Sequence, residues 1–295
     1  MITTLKKIIF EELLQIGKKY YHKNHERIKE YYLNKSFYKH RKHGISAMMR
    51  VKNDADWIYF SIISILDFVD EVVIVLQKST DGTEDIIKSI DSKKIKIYHY
   101  PFDTFPVGEY HFRYVKNSVF NLAYYYNYAL SKTKYSYVWK WDGDQAVLNS
   151  RAKELRKLID LKTYDIIHAK GYDIFGEDLK YLCKDPYCGN EPCVFKVSKK
   201  TFYFSGVRCE EFSYPLIQKL KRSRIYNFEK ALFMHFKYTR EIQAFTKGWQ
   251  KNWDQDSYFL NILESKSRGD LYIDEYPKII LDEYLKKASK FHQNS

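Results

Sequence analysis

The sequence predicts an α/β protein with a doubly wound sheet, preceded by a helical N-terminal extension. Between residues 45 and 98, short β-branched or apolar segments alternate with helical ones, which is the order of a βαβαβ unit. Within that unit, Glu71–Leu76 contains the continuous apolar run expected of a parallel strand covered on both faces. In residues 1–43, apolar side chains recur at three- and four-residue steps without an intervening proline, which predicts helix.

The composition indicates a globular protein that can bury a full core. The chain has 295 residues, of which 45% are hydrophobic and 18% aromatic, and this balance excludes disorder. We interpret the chain as one large α/β domain or as a catalytic domain with appendages. No run approaches the roughly 20 apolar residues that span a bilayer, and the first residues lack a signal-peptide pattern. We therefore expect a cytoplasmic location.

The positive charge is concentrated at the beginning of the chain. The formal net charge is +13, and residues 1–43 carry eleven Lys or Arg against four Glu. Aromatic residues, among them Tyr31, Tyr32, Phe37 and Tyr38, alternate with these basic residues, a mixture typical of a membrane interface. Two interpretations stay open for this region: peripheral contact with an anionic membrane, or a helical hairpin packed on the main domain. The sequence does not predict an oligomeric state.

Four cysteines fall in one part of the chain, at positions Cys183, Cys188, Cys193 and Cys209. The first three are five residues apart, which matches neither Cys-X-X-Cys zinc spacing nor a disulfide-dense secreted module. We expect ordinary thiols, with a structural zinc site as the alternative.

The first half of the chain can be assigned element by element. We predict the first strand at Ile45–Met49 and a helix that is capped by Asn53–Asp54. One face of that helix is apolar: Ile58, Ile62, Ile65, Leu66 and Val69. After the second strand, Asp81 and Glu84 have capping-box spacing for the next helix. Lys94–Tyr98 is the predicted third strand, and residues 101–117 are a predicted loop.

The chain is organised around Tyr137–Trp141, an aromatic strand-like run that ends in Asp142, Gly143 and Asp144. Residues 119–130 form the amphipathic helix that leads into it. Two carboxylates at the end of a buried strand repel each other, so they require a cation, and a divalent ion shared with a phosphate is the usual one. Ligands of open α/β sheets collect at this edge. The alternative is an ordinary Asp-Gly-Asp surface turn.

The second half of the chain is less regular. We predict a helix at residues 151–161, strands at 164–169 and 193–197, and an apolar-periodic run from Leu216 to Leu220. His235 follows another apolar run and is interpreted as a buried core residue or as a metal ligand. Trp253–Tyr258 contains a second acidic cluster, where N-capping by Asp254 competes with a catalytic role. The predicted divisions are therefore 1–43, 44–150, 151–285 and a polar tail at 286–295.

Three segments resemble the nucleotide-binding half of family 2 glycosyltransferases, an inverting group with the GT-A fold, a Rossmann-like fold with a mixed sheet. They are Arg50-Val-Lys-Asn53-Asp54, the stretch from Asp70 to Thr83 with Ser79-Thr-Asp81-Gly-Thr83, and the stretch from Asn127 to Asp144. Asn127 precedes Asp142 by 15 residues, as in the family. The chain departs from the family pattern where Leu76-Gln77 replaces aspartate and where Tyr126 replaces arginine.

The resemblance implies a set of site residues. Those that would bind the nucleotide are Arg50, Asn53, Asp54, Gln77, Asp81, Asn127 and Asp142. Asp142 and Asp144 would hold Mn²⁺ or Mg²⁺ with His235, and Lys237 or Arg240 would stabilise the departing diphosphate. Inversion requires a carboxylate base. Glu211 is our first candidate and Glu210 the second, with Asp254 and Asp256 in reserve.

The sequence thus predicts a metal-dependent, inverting glycosyltransferase. Its donor would be a nucleotide-diphosphate sugar, UDP-like, and its acceptor a carbohydrate or lipid-linked glycan in surface polysaccharide synthesis. A retaining transferase or a nucleotidyltransferase on the same fold is the first alternative. A basic RNA-binding or scaffolding protein is the second alternative. We nevertheless expect no nucleic acid, because proteins that stack bases set aromatic residues beside Arg and Lys, whereas the segment Val138–Trp141 leads into acids.

Overall fold

We describe the structure from a computed structural model, which covers Leu33 and residues 36–104, 119–183, 191–205, 210–213, 224–239 and 268–285. The helices are α1 (Ile58–Ile65), α2 (Thr83–Ser89), α3 (Leu122–Lys132) and α4 (Asn149–Asp160), with a π-helix at Ile280–Leu285. The strands are β1 (Lys42–Val51), β2 (Glu71–Leu76), β3 (Ile95–His99), β4 (Tyr135–Trp141), β5 (Gln145–Val147), β6 (Ile166–Ala169), β7 (Gly171–Phe175), β8 (Tyr181–Cys183), β9 (Glu191–Lys196), β10 (Phe202–Ser205), β11 (Glu210–Ser213), β12 (Ile225–Asn227), β13 (Phe233–Tyr238) and β14 (Arg268–Leu271).

A seven-stranded mixed sheet forms the centre of the described fold, in the order β12-β6-β9-β4-β1-β2-β3. Strands β4, β1, β2 and β3 are parallel to one another, whereas β9 is antiparallel to both β4 and β6. All six residues of β2 are buried, as expected for an inner parallel strand with helices on both faces. The predicted α/β, doubly wound, mixed sheet is confirmed.

Helices cover both faces of this sheet, and each face has its own apolar layer. On one face α1, α2 and α4 pack against alternate residues of β1 and β4, including Ala47, Met49, Trp139 and Trp141. On the other face, α3 packs against the strand residues that point the opposite way, such as Met48 and Val138. Most of the side chains that α3 places in this layer are tyrosines. The alternation along β1 and β4 explains how one strand serves both layers.

A second, five-stranded sheet has the order β14-β8-β7-β13-β5. Strand β5 leaves the acidic turn after β4 and pairs antiparallel with β13, where His235 lies opposite Gln145. Strand β7 pairs parallel with β13 and places Asp173 opposite His235. This sheet therefore brings two parts of the second half of the chain to the acidic turn.

Several predicted boundaries shift in the structure. The N-terminal helix was predicted to reach residue 43, but β1 begins at Lys42, so the end of that prediction is wrong. Helix α1 begins at Ile58 after a turn, with Trp57 rather than Asn53–Asp54 at its N-cap. The predicted capping box is also wrong, because Gly82 is the N-cap of α2 and the Asp81 carboxylate instead accepts from the Thr83 backbone N–H at 3.1 Å.

Other predictions lie outside the described residues. These are the helices at residues 1–32, the run from Leu216 to Leu220, the acidic cluster at 253–258 and the tail at 286–295. Of the four cysteines, Cys183 and Cys193 are described and buried, and the Cys193 thiol donates to the Ile167 carbonyl at 3.5 Å. None of the described helices is long and apolar enough to cross a membrane.

Candidate active site

The acidic turn lies at the carboxyl edge of the parallel strands, between the end of β4 and the start of β5. Helix α1 holds it in place through Ser61, whose hydroxyl donates to the Asp142 carbonyl at 2.9 Å and accepts from the Trp141 indole N–H at 2.9 Å. At Gly143, a Cβ atom would lie 2.7 Å from Asp54 Oδ2, so any other residue there would force the Asp54 side chain to move. The structure thus brings Asp54 directly against the acidic turn.

Asp142 and Asp144 have different neighbours. The Asp142 carboxylate pairs with Arg50, with Nη2 3.3 Å from Oδ1. The guanidinium of Arg50 lies over the Tyr126 ring, 3.2 Å from its centroid, and the side chain is only 13% exposed. Burial alone would lower the pKa of Arg50, but Tyr126, Asp142 and Glu210 together raise it. Arg50 is therefore a fixed positive charge inside the site.

Asp144 faces His235, whose Nε2 atom lies 3.4 Å from Asp144 Oδ1. The other ring nitrogen, Nδ1, lies 2.8 Å from Oδ1 of Asp173, a carboxylate that is 1% exposed. Burial would raise the pKa of Asp144, but His235 and Lys237 outweigh it, so this pKa is lowered and the carboxylate stays ionised. With an ion bound, the buried Asp173 carboxylate would hold the imidazole proton on Nδ1 and leave the Nε2 lone pair for the ion, as in carboxylate–histidine–metal arrangements.

The pair formed by Asp144 and His235 fits a divalent ion. A carboxylate oxygen from the acidic turn and an imidazole nitrogen from β13 lie close together there, and Asp173 binds the other nitrogen of the imidazole. Within the described ranges no group of three or more His, Cys, Asp or Glu is placed to hold a metal ion. Mg²⁺ in phosphate-binding sites commonly takes one or two carboxylates and fills its other positions with water and substrate oxygens. Two protein ligands are therefore compatible with this chemistry.

The structure brings Glu210 to the same site, from β11. Its negative charge acts on Arg50 and on Tyr126 and raises the pKa of both groups. Glu211 is described only through its backbone, which pairs with Phe204. Its side chain, together with Arg240, Asp254 and Asp256, lies outside the described residues, so their predicted roles stay predictions.

The predicted nucleotide-binding residues after β1 and β2 lie at the same edge and link the two loops. Asn53 accepts from the Thr80 backbone N–H at 2.9 Å, and Asp81 accepts from that of Ala55 at 3.0 Å. Burial would raise the pKa of Asp81, but its hydrogen bonds from Thr83 and Ala55 lower it. Their described contacts therefore shape the loops, and their binding of a nucleotide stays a prediction.

Gln77 and Asn127 are both buried, and their amide groups bind backbone groups of the protein. Gln77 is 5% exposed and its amide donates to the Phe102 carbonyl at 2.5 Å, so it is not a solvated turn residue. The Asn127 amide donates to the Tyr203 carbonyl and accepts from the Tyr203 N–H, both at 2.8 Å. These amides fix a loop and the β10–β11 hairpin, and their predicted contact with a nucleotide stays untested.

Sequence reasoning missed three contributors to the site. Asp173 is the buried partner of His235, and an aspartate within an otherwise apolar strand was the available signal. Ser61 lies on the apolar face of α1, where a hydroxyl needs a specific partner. Lys140 lies on β4 just before the acids, with Nζ 5.7 Å from the Tyr126 ring centroid.

The fold and the acid-bearing turn define a class: a Rossmann-like, GT-A arrangement with a carboxylate site at the end of its parallel strands. The family model described as Glycosyl transferase family 2 matches residues 46–212, more than half of the chain. The chain therefore belongs to glycosyl transferase family 2. No curated protein sequence matches the chain.

Solved structures resemble the chain only distantly. Staphylococcus aureus TarS residues 1–349, in complex with UDP-GlcNAc, is 18% identical with a TM-score of 0.45, over 67% of this chain and 59% of that one. Glucosyl-3-phosphoglycerate synthase from Mycobacterium tuberculosis, with Mn²⁺, UDP-Glc and glycerol 3-phosphate, is 14% identical with a TM-score of 0.41, over 84% of this chain and 94% of that one. The chain spans 60% of another TarS 1–349 structure. These similarities are too low to transfer a substrate.

Proposed function

We propose that this enzyme transfers a sugar from a nucleoside-diphosphate donor to a hydroxyl group of a carbohydrate or lipid-linked glycan, with inversion at the anomeric carbon. The observation that supports it most is the convergence of Asp144 and His235 at the carboxyl edge of the parallel strands. UDP is the first nucleotide to test, because TarS and glucosyl-3-phosphoglycerate synthase are described with it. Surface polysaccharide synthesis is the proposed context.

Asp144 and His235 would hold Mn²⁺ or Mg²⁺, with Asp142 beside them. When bound, the ion would neutralise negative charge on the departing diphosphate. Lys237 already acts on Asp144 electrostatically, so it is placed to add positive charge near the same diphosphate, and Arg240 is proposed for the same role. Asn53, Asp54, Gln77, Asp81 and Asn127 complete the proposed nucleotide-binding set, directly or by shaping its loops.

The acceptor reaction requires a base. As the acceptor oxygen forms its bond to the anomeric carbon, the bond from that carbon to the phosphate oxygen breaks, and the acceptor proton passes to a carboxylate. We propose Glu210 for this role, because its carboxylate lies beside Arg50 and Tyr126, close to the acidic turn. Glu211 is retained as the alternative.

The basic region at residues 1–43 is proposed to make peripheral contact with anionic lipid on the cytoplasmic face of the membrane. Its eleven Lys or Arg against four Glu support this, since lipid headgroups attract such segments. A membrane-bound acceptor would then be close to the site. Residues 44–150 and 151–285 are proposed as the donor-binding and acceptor-binding halves.

A donor panel tests the proposed function. Purified protein is incubated with Mn²⁺ and UDP-, GDP- or dTDP-linked hexoses, and release of the nucleoside diphosphate is measured. We expect one nucleotide class to be used, and Asp144→Ala to lose at least about 100-fold in rate. Asp160→Ala is the matched control, since Asp160 is a surface residue at the end of α4. Release of pyrophosphate instead would favour a nucleotidyltransferase, and retention of anomeric configuration in the product would contradict inversion.

A further inference from the structure

The Asp142 carboxylate is contacted at both of its oxygens. Oδ1 lies 3.3 Å from Nη2 of Arg50, and Oδ2 accepts from the Gln145 amide at 3.5 Å. Asp144, two residues further along the acidic turn, instead faces Nε2 of His235 at 3.4 Å. The two acids of the motif are therefore oriented by different side chains.

Arg50 is itself fixed by aromatic packing. Its guanidinium lies over the Tyr126 ring, with Cζ 3.2 Å from the ring centroid, and its side chain is only 13% exposed. The Tyr126 ring stacks on the Tyr203 ring, with centroids 4.4 Å apart and an interplanar angle of 28°. The Asn127 amide binds both backbone groups of Tyr203 at 2.8 Å. Helix α3 and the β10–β11 hairpin therefore set the position of the guanidinium, which in turn contacts Asp142.

The charge of Arg50 affects which acid can bind a divalent ion. A dication that took Asp142 as a ligand would come close to the guanidinium, and like charges repel strongly where little water separates them. It would also draw the carboxylate away from a mostly buried cation, which is costly. Asp144 faces an imidazole, which is neutral when it binds an ion. The pairing therefore favours an ion at Asp144 and His235 rather than at Asp142.

Asp142 can still accept hydrogen bonds from a ligand. An ionised carboxylate has about four acceptor positions, so the contacts with Arg50 and Gln145 do not saturate it. Its side chain is 33% exposed at the carboxyl edge of the sheet. A hydroxyl group of a bound donor is a suitable partner, since it donates to a carboxylate without adding charge.

We propose that Arg50 is a positioning residue of the donor site, which holds the Asp142 carboxylate away from the ion and oriented toward a hydroxyl of the donor. This role rests on the proposed function, in which the donor is a nucleoside-diphosphate sugar and the ion lies at Asp144 and His235. Arg50 then acts through Asp142, whereas the family resemblance implied direct contact with the nucleotide. Arginine suits this role because its planar guanidinium stacks on a ring and donates to a carboxylate at once, unlike a lysine ammonium.

A double-mutant cycle distinguishes the indirect role of Arg50 from direct contact with the donor. The variants are Arg50→Met, Asp142→Asn and the pair, and the probes are UDP and UDP-glucose, each titrated calorimetrically with Mn²⁺ present. We expect each single variant to weaken binding about tenfold, and the pair to bind no more weakly than Asp142→Asn alone. A loss seen with UDP identifies a ribose hydroxyl as the partner of Asp142, and a loss confined to UDP-glucose identifies a hexose hydroxyl.

Two further measurements separate positioning from ion binding and from folding. The apparent Mn²⁺ affinity at saturating UDP should stay within about twofold in Arg50→Met and Asp142→Asn, and Asp144→Ala should lose it. Arg50→Lys should weaken donor binding only about threefold, because it keeps the charge but not the planar stack. The Tm of each variant is recorded, and Arg50→Lys replaces Arg50→Met in the cycle if the latter does not fold.

The matched control is Arg156→Met, because Arg156 pairs with Asp70 at 2.8 Å just before β2, at the opposite edge of the sheet. It should lower Tm and leave UDP affinity within about twofold. Additive losses in the cycle would show that Arg50 contacts the donor itself and would overturn the inference, as would a loss of Mn²⁺ affinity in Asp142→Asn. If the wild type binds none of UDP, GDP or dTDP with Mn²⁺, the proposed function fails, and the role of Arg50 fails with it.

Discussion

At the scale of single residues, the site depends on which neighbour each carboxylate has. Asp142 pairs with Arg50, whereas Asp144 faces His235, and we propose that this second pair binds the ion. Asp173 is buried at 1% exposure and contacts the Nδ1 side of His235, which faces away from Asp144. The two acids of the Asp-Gly-Asp motif therefore have different proposed roles, although the sequence presents them as a pair.

We predict that Asp173→Ala lowers Mn²⁺ affinity about 10- to 100-fold, because His235 loses the group that fixes its ring and tautomer. Isothermal titration with Mn²⁺ in the presence of UDP measures this directly. Asp173→Asn should lose less, since its amide oxygen can still accept from Nδ1–H. Asp178→Asn, at an exposed turn, is the control. Unchanged affinity in Asp173→Ala would show that His235 does not bind the ion.

At the scale of elements, short strands and helices bring distant residues together through polar contacts. Arg151 on α4 donates to the Ala231 carbonyl and to the Asp274 carboxylate, both at 2.5 Å, and Tyr172 on β7 donates to Asp274 at 2.8 Å. The segment after β14 is thereby held against the second sheet. That sheet carries His235 and Asp173, so this network stabilises the part of the fold that positions both residues.

We predict that Asp274→Asn lowers the free energy of unfolding by about 1–3 kcal/mol at pH 7. Burial would raise the pKa of Asp274, but Arg151, the Glu275 N–H and Tyr172 outweigh it, so its folded pKa lies below the ordinary 3.8. A lowered folded pKa means that the contribution is fully present above pH 3.8 and is lost as pH falls through the folded value.

Urea denaturation at several pH values checks this prediction. The difference between wild type and Asp274→Asn should be constant from pH 7 to about pH 5 and should shrink below pH 3.8. Asp270→Asn, on the exposed strand β14, should show no such difference. A difference that grows as the pH falls would contradict the assignment.

At the scale of the whole molecule, the proposed donor site joins parts of the chain that fold into two different sheets. The acidic turn belongs to both, because β4 lies in the seven-stranded sheet and β5 in the five-stranded one. A ligand held there contacts both sheets in the folded state and neither in the unfolded chain. Binding should therefore stabilise the entire fold.

We predict that UDP with Mn²⁺, at about 100 times its Kd, stabilises the protein by about 2.7 kcal/mol, which raises Tm by roughly 4–5 °C. Differential scanning calorimetry measures the shift. Asp144→Ala should lose the Mn²⁺-dependent part, and Asp160→Ala should keep it. A shift of equal size without the divalent ion would contradict a metal-assisted site.

The sequence by itself determined the layered α/β fold, the strands β1, β2 and β4 and the family. These follow from local patterns: continuous apolar runs, helical periodicity and a motif with fixed spacing. The predicted starts of α1 and α2 were less accurate. The turn after Asn53 and the N-cap at Gly82 depend on contacts with neighbouring loops, which local patterns do not record.

Only the tertiary structure decided which residues meet at the site. Asp144, Asp173 and His235 are separated by 29 and 62 residues along the chain, and their contact arises because β5, β7 and β13 pair in one sheet. Likewise, the pattern after β10 did not distinguish Glu210 from Glu211, and Glu210 acts electrostatically on Arg50 and Tyr126 because α3 packs against the hairpin. Periodicity records which face of an element is apolar, but the pairing of strands sets distances between side chains far apart in sequence.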